Sequence, residues 1–175
     1  MNTETAMEHE PRQTSGRLKK RVLIVDDDAS VRESISSVLQ EAGYEVLQAG
    51  DGEQALTQFD SRQIDLILLD LGLPNKSGWD TFEGFTSQNP TLPIIIITGQ
   101  ARQAKMAMAA GVGALMEKPL DAAQLLQTIQ ELLNEPEEAR LRRMCGYSRE
   151  LLYIPVAPRR TRAGAATIAA NHKPK

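Results

Sequence analysis

Short apolar runs alternate with amphipathic stretches through the middle of this chain, in five repeats between residues 21 and 133. The apolar runs are rich in β-branched side chains and nearly continuous, which is typical of strands buried on both faces of a parallel sheet. The predicted strands are RVLIVD (21–26), YEVLQA (44–49), IDLILLD (64–70), LPIIIIT (92–98) and GALMEKPLD (113–121).

Five helices are predicted to follow these strands, because apolar residues there recur three and four positions apart. The first is expected to begin with Ser30 as its N-cap and to end at Gly43. The others are expected at 51–60, 79–87, 103–110 and from Asp121 onwards. Five strands joined by right-handed helical crossovers predict an α/β fold with a doubly wound parallel sheet, since a barrel of this type needs eight strands.

Charge is distributed unevenly along the 175 residues. Residues 1–19 carry no net charge, residues 20–134 carry eight Lys or Arg against sixteen Asp or Glu, and residues 135–175 carry nine against four. We expect a flexible extension over 1–19, a folded domain over 20–134, a short helix over 135–146 and a basic, disordered tail over 147–175.

The composition excludes several classes of protein. The single cysteine, Cys145, allows no internal disulfide and no pair of thiolate metal ligands. No apolar run approaches the ~18 residues of a membrane span. The first twenty residues lack the apolar centre of a secretory signal, so we expect no membrane insertion and a cytoplasmic location.

Charged and polar residues follow the ends of four predicted strands. Asp26, Asp27 and Asp28 follow the first, Asp70 the third, Thr98 the fourth, and Lys118 the fifth. Ligands of doubly wound sheets bind in the crevice outside the carboxyl ends of the strands, so these side chains are expected to converge there. A single Asp after a strand is usually a turn or cap residue, so their joint occurrence in this order carries the prediction.

Such a cluster supports phosphoryl chemistry. Carboxylates that converge in a shallow crevice suit Mg²⁺, which also relieves their mutual repulsion. A carboxylate can then attack phosphorus and form an acyl phosphate. The Lys118 ammonium would neutralise one phosphoryl oxygen and the Thr98 hydroxyl would donate a hydrogen bond to another.

From about Lys20 to Leu133 the chain resembles the receiver domain of bacterial two-component response regulators. The similar segments are VLIVDDDASVRESI, DLILLDLGLPNKSGWD, LPIIIITG and AAGVGALMEKPLD. The resemblance implies a flavodoxin-like sheet with strand order 2-1-3-4-5 and five helices. It also implies a regulatory domain rather than an enzyme, which accepts a phosphoryl group from a histidine kinase or a histidine phosphotransfer protein and signals to a downstream protein.

Carried over by residue, the resemblance implies that Asp70 is the phosphoacceptor, with Thr98 and Lys118 as its partners. Asp26, Asp27, Asp70 and the backbone carbonyl of Gly72 match the family's Mg²⁺ ligands. Asp28 is then left to face the mouth of the site or to cap the first helix. A cis peptide is expected before Pro119.

The chain departs from the family pattern in one region. Leu115 stands where the family usually has an aromatic residue, three positions before the lysine, and the segment from Thr98 to Lys118 is about two residues shorter than is common. The hypothesis is that the output surface is remodelled around Leu115 and a short fourth helix. Gly72 and Gln100 are expected to tune hydrolysis of the phosphate.

We expect a stand-alone receiver, for which the resemblance allows a homodimer through the fourth helix, fifth strand and fifth helix. One alternative is a Mg²⁺-dependent phosphatase of small molecules, disfavoured because no cap domain or pocket-forming insertion is present. Another is a nucleic-acid-binding regulator that uses the basic tail. The stretch 159–175 lacks interleaved aromatic residues, so we do not expect nucleic acid as a partner; its basic residues are Arg159, Arg160, Arg162, Lys173 and Lys175.

Overall fold

Strands and helices alternate along the chain as the apolar pattern predicts. The computed structural model describes residues 19–59, 64–74, 77–99, 104–145, 152–155 and 167–168. The strands are β1 (Arg21–Val25), β2 (Glu45–Ala49), β3 (Leu66–Asp70), β4 (Ile94–Thr98), β5 (Ala114–Glu117), β6 (Leu120–Asp121), β7 (Leu152–Ile154) and β8 (Thr167–Ile168). The helices are α1 (Ala29–Glu41), α2 (Gly52–Gln58), α3 (Gly78–Gln88), α4 (Ala104–Ala109), α5 (Ala122–Leu133) and α6 (Glu137–Met144).

The main sheet is parallel and has the order β2-β1-β3-β4-β5-β7. The predicted fold class and the order 2-1-3-4-5 are therefore confirmed, with α1 to α5 as the five predicted helices. The sixth strand, β7, lies in the segment that the sequence predicts to be a disordered tail, and that expectation is wrong for Leu152–Ile154. A second, two-stranded antiparallel sheet pairs β6 with β8.

The sheet separates two apolar layers. One lies against α2 and α3 and contains Leu23, Leu69, Phe82, Phe85 and Ile96; the other lies against α1 and α5 and contains Ile24, Ile35, Leu68, Ile97 and Ile129. Successive residues of a strand point to opposite faces, so each buried strand supplies both layers. This burial holds the carboxyl ends of β1, β3, β4 and β5 at one edge of the sheet.

The boundaries of α1 show how local chemistry positions the loop after β1. Asp28, and not Ser30 as the sequence predicts, is the N-cap, and its carboxylate accepts hydrogen bonds from the backbone N–H of Ser30 and Val31. A carboxylate is favoured there because the helix N-terminus carries partial positive charge. The predicted stop is confirmed, since Gly43 has a φ of +91° directly after the C-cap.

The predicted short helix over 135–146 is present as α6. Two arginines attach it to the domain near the amino-terminal ends of the strands. The Arg140 guanidinium donates to the carbonyls of Thr91, Leu132 and Glu135 at 3.0 to 3.3 Å. Arg143 donates to the carbonyl of Gly111 at 2.8 Å and to the Glu135 carboxylate at 2.6 Å. Since Thr91 and Gly111 precede β4 and β5, α6 lies near the amino-terminal ends of the strands, and the predicted site lies at their carboxyl ends.

Within the described ranges, no helix has the length and apolarity that a membrane crossing requires. The expected N-terminal extension up to residue 18, Gln100 and the basic residues of the expected tail lie outside the described residues.

Candidate functional site

One lysine joins the ends of three strands. Lys118 follows β5, and its Nζ lies 2.8 Å from Oδ2 of Asp26, which follows β1, and 2.6 Å from Oδ2 of Asp70, the last residue of β3. Asp26 and Asp70 are buried, at 1% and 6% exposure. The predicted convergence of these side chains is therefore present in the structure.

The remaining carboxylate oxygens bind backbone N–H groups of the loops that follow the strands. Oδ1 of Asp26 accepts from the N–H of Asp28 at 2.9 Å, and Oδ1 of Asp70 accepts from the N–H of Gly72 at 3.0 Å. These bonds fix the rotation of both carboxylates before any ligand arrives.

Gly78, the first residue of α3, braces the loop after Asp70. A Cβ at Gly78 would lie 2.4 Å from the Cα of Leu71 and 2.8 Å from the carbonyl oxygen of Asp70, so only glycine permits this contact. Helix α3 therefore lies directly on the backbone that carries Asp70.

Three carboxylates at this edge could hold a metal ion. Asp26, Asp27 and Asp70 each offer an oxygen, and these oxygens lie within 4.8 Å of one another. Asp26 and Asp70 are buried whereas Asp27 is exposed, so the cluster opens to solvent on one side. Hard oxygen ligands with room for water suit Mg²⁺. The fourth expected ligand, the carbonyl of Gly72, belongs to the exposed residue two positions after Asp70.

Asp28 does not belong to this group. Its carboxylate caps α1, so the structure selects the capping role from the two roles that the sequence leaves open. The three consecutive aspartates therefore do different things, although their side chains are chemically identical.

Burial and charge oppose each other in the cluster. Burial raises the pKa of Asp26 above its ordinary value, and the neighbouring Lys118 only partly offsets this. Burial alone would lower the pKa of Lys118, but Asp70 and Asp26 together outweigh it, so the pKa of the ammonium is raised. Lys118 therefore stays charged, which is the state that an incoming anion requires.

Thr98 lies at the same edge, at the end of β4. Its side chain is buried, at 3% exposure, and its carbonyl accepts the backbone N–H of Lys118 at 2.9 Å. The peptide bond between Lys118 and Pro119 is cis, as predicted. The hydrogen bond between Lys118 and Thr98 joins the turn after β5 to the end of β4.

Strand β7 pairs with β5 in the region that departs from the family pattern. Leu115 is fully buried in β5, and α4 has only six residues. Tyr153 of β7 pairs with Leu115 in register, and its phenol donates to the carboxylate of Glu117. That bond raises the pKa of Tyr153. Sequence reasoning places Glu117 at the end of the fifth strand without giving it a role, and it missed Tyr153, for which the signal was the apolar group in ELLYIPVAP.

The arrangement combines a nucleophile with preorganised positive charge. The Asp70 carboxylate is held by a backbone N–H on one oxygen and by an ammonium on the other. Adjacent carboxylates can bind a divalent cation, and a buried hydroxyl lies at the end of the next strand. Such a site suits transfer of a phosphoryl group to a carboxylate, where positioning and charge balance supply most of the catalysis.

Comparisons with known proteins agree with this chemistry. The model of the response regulator receiver domain family matches residues 22–130. The transcriptional regulatory protein CpxR of Escherichia coli K12 is 33% identical over 115 residues, which cover 65% of this chain and 49% of that protein. The CAI-1 autoinducer sensor kinase/phosphatase CqsS of Vibrio cholerae is 34% identical over 118 residues, 65% of this chain and 17% of that protein. The chain thus spans about half or less of these relatives.

Solved receiver structures share the fold. A CheY-like receiver domain protein from Methanospirillum hungatei has a TM-score of 0.64 and 32% identity, covering 69% of this chain and 97% of that one. The response regulator TrrA of Thermotoga maritima, solved in complex with Mg(2+)-BeF, has a TM-score of 0.60 and 30% identity, covering 65% and 98%.

Proposed function

The chain belongs to the response regulator receiver domain family, and from this premise we propose that it is a signalling switch whose phosphoacceptor is Asp70. Membership of this family is consistent with phosphorylation-dependent signalling in a two-component system. The observation that carries the assignment to Asp70 is the contact of its carboxylate with Lys118, at 2.6 Å, beside two further carboxylates.

The proposed reaction is a transfer from a phosphohistidine on a histidine kinase or histidine phosphotransfer protein. A carboxylate oxygen of Asp70 attacks the phosphorus, and the new O–P bond forms as the N–P bond to the imidazole breaks. The imidazole leaves with the electron pair of that bond and takes up a proton, while Asp70 becomes an acyl phosphate. The chain contributes the nucleophile and its environment, and it turns over no substrate of its own.

Asp26, Asp27, Asp70 and the carbonyl of Gly72 would hold Mg²⁺. When bound, the ion supplies positive charge that lets an anionic phosphoryl group approach a cluster of carboxylates. The Lys118 ammonium balances a second share of that charge, and the Thr98 hydroxyl donates to a phosphoryl oxygen. In this account Asp28 only fixes the start of α1.

The output of the switch is proposed to be a change in protein contacts. A phosphoryl group on Asp70 adds acceptor oxygens that draw Thr98 and Lys118 towards it, and both residues lie where β4 and β5 end. The proposed downstream partner is therefore a protein that contacts the β4 to α5 side of the domain. A homodimer through α4, β5 and α5 stays a prediction, and this face now includes β7.

Incubation with acetyl phosphate, followed by intact mass spectrometry, tests the proposal. The wild type should gain one acid-labile phosphoryl group with Mg²⁺ and none with EDTA, and Asp70→Asn should gain none. Asp80→Asn is the matched control, because Asp80 is an exposed carboxylate in the first turn of α3, and it should behave as the wild type. An unmodified wild type, or a modified Asp70→Asn, would refute the assignment.

A further inference from the structure

Strand β7 closes an edge that would otherwise be open. It pairs with β5 in parallel over three residues, with Ala114 opposite Leu152, Leu115 opposite Tyr153, and Met116 opposite Ile154. The three β5 residues are 0 to 1% exposed. An uncovered edge of this kind presents unpaired backbone groups and invites another strand to bind. The β5 edge is thus a strand-binding surface, and β7 occupies it.

A row of side chains connects β7 to the site. Thr98 pairs with Glu117 between β4 and β5, and Glu117 accepts the phenol hydrogen of Tyr153. Paired residues of parallel strands, and residues two apart in one strand, lie on the same face of a sheet. Glu117 also directly precedes Lys118, which contacts Asp70. Any shift at the end of β5 therefore reaches the Tyr153 hydrogen bond.

Few contacts keep β7 on the sheet, so its pairing with β5 can open. The strand has three residues, and its Leu152 and Tyr153 are 37% and 39% exposed. Only Ile154 packs against the apolar layer beneath α1 and α5. Elements with few buried contacts open locally at a small cost in free energy.

We propose that Leu152–Ile154 occupies the β5 edge while Asp70 is unmodified and leaves it when Asp70 is phosphorylated. This inference rests on the proposed function. The phosphoryl group brings new negative charge to the carboxyl ends of the strands, where Glu117 lies. It also draws away Thr98, which pairs with Glu117, and Lys118, which follows it. The Glu117 carboxylate is repelled, and Tyr153 loses its acceptor.

The vacated edge then fits a partner of defined chemistry. It takes an extended segment that adds to β5 in parallel, with apolar residues on either side of an aromatic one, as in the Leu-Tyr-Ile sequence that it replaces. The phosphorylation state is thus passed to the partner through the newly exposed backbone of β5.

Hydrogen–deuterium exchange of the full chain in Mg²⁺, with and without beryllium fluoride as the phosphoryl mimic, tests this inference. The amides of 152–154 should exchange roughly tenfold faster in the wild type with beryllium fluoride, because a hydrogen bond and a short stretch of strand pairing are lost. Asp70→Asn, which lacks the carboxylate that holds the mimic, should show no change.

A pair of tyrosine variants isolates the contact. Tyr153→Phe removes only the phenol oxygen, so 152–154 should already exchange faster without the mimic. Tyr44→Phe removes a phenol that contacts Gln130 instead, and it should match the wild type at 152–154.

The two claims fail differently. If beryllium fluoride gives no added protection at 70–72, the proposed function is wrong and the release mechanism falls with it. If 70–72 is protected but 152–154 exchanges at the same rate or more slowly, only the release of β7 is refuted. Equal exchange in Tyr153→Phe and the wild type refutes the role of Tyr153.

Discussion

Lys118 places one positive charge between two carboxylates that the fold buries at the ends of different strands. Burying charges is costly, and a buried ion pair often contributes little net stability. Two carboxylates and one ammonium also leave a net negative charge beside the exposed Asp27. This excess of negative charge suits a site that could bind a cation, and stability alone does not explain it.

The consecutive aspartates should separate by function on substitution. Asp27→Ala removes a proposed Mg²⁺ ligand and should abolish Mg²⁺-dependent phosphorylation by acetyl phosphate. Asp28→Ala should leave phosphorylation largely intact but lower the free energy of unfolding by about 1 kcal/mol, because α1 loses its N-cap. Intact mass and urea unfolding of both variants measure the two effects. Loss of phosphorylation in Asp28→Ala at full stability would contradict this division.

Gly72 should control the lifetime of the acyl phosphate. A Cβ at this position would lie 3.5 Å from both carboxylate oxygens of Asp70, which is ordinary contact and needs no rearrangement. Gly72→Ala should therefore shield the phosphoryl group from water and slow its hydrolysis roughly threefold, about 0.7 kcal/mol in the barrier. The decay of the phosphorylated mass after removal of acetyl phosphate measures this rate, and an unchanged or faster decay would contradict the shielding.

The sequence predicts which residues meet at the site, because parallel strands bring their carboxyl ends to one edge. It does not predict that a single ammonium contacts both Asp26 and Asp70. That contact depends on how the chain turns after β5, which brings Nζ of Lys118 to 2.8 Å from Asp26 and 2.6 Å from Asp70. Nor does the pattern of charges distinguish Asp27, which belongs to the carboxylate cluster, from Asp28, which caps α1.

At the scale of elements, α6 and β7 extend the receiver fold in opposite ways. Helix α6 was predictable, since Pro136 precedes it, acidic residues begin it and arginines end it. Strand β7 was not, because three half-exposed residues carry too little periodicity to identify a strand. Its pairing depends on the open edge of β5, which is a tertiary feature.

Arg140 should make α6 an integral part of the domain. Its guanidinium bonds three backbone carbonyls, two of them at the end of α5 and just beyond it, where positive charge is favourable. Arg140→Ala should lower the free energy of unfolding by about 2 kcal/mol.

Arg142→Ala is the matched control in the same helix. Arg142 makes an exposed pair with Glu138, so its loss should cost less than about 0.5 kcal/mol. Urea unfolding of both variants gives the comparison, and equal stabilities would mean that α6 is only loosely attached.

In the molecule as a whole, the two ends of the parallel strands have different roles. The arginines of α6 bind the chain at the amino-terminal ends of the strands. The carboxyl ends carry the carboxylates, Thr98 and Lys118. The acidic charge of residues 20–134 includes this cluster, and the sequence alone separates it from the basic segment that follows. Strand β7 comes from that basic segment and joins the acidic domain by pairing with β5.

Trapping the acyl phosphate identifies the residue that accepts the phosphoryl group. After incubation with acetyl phosphate and Mg²⁺, borohydride reduction converts a phosphorylated aspartate into homoserine, and peptide mapping locates it. The account predicts homoserine at position 70 and at no other aspartate of the chain. Homoserine at Asp26, Asp27 or another aspartate, or its absence from a protein that has gained a phosphoryl group, would contradict it.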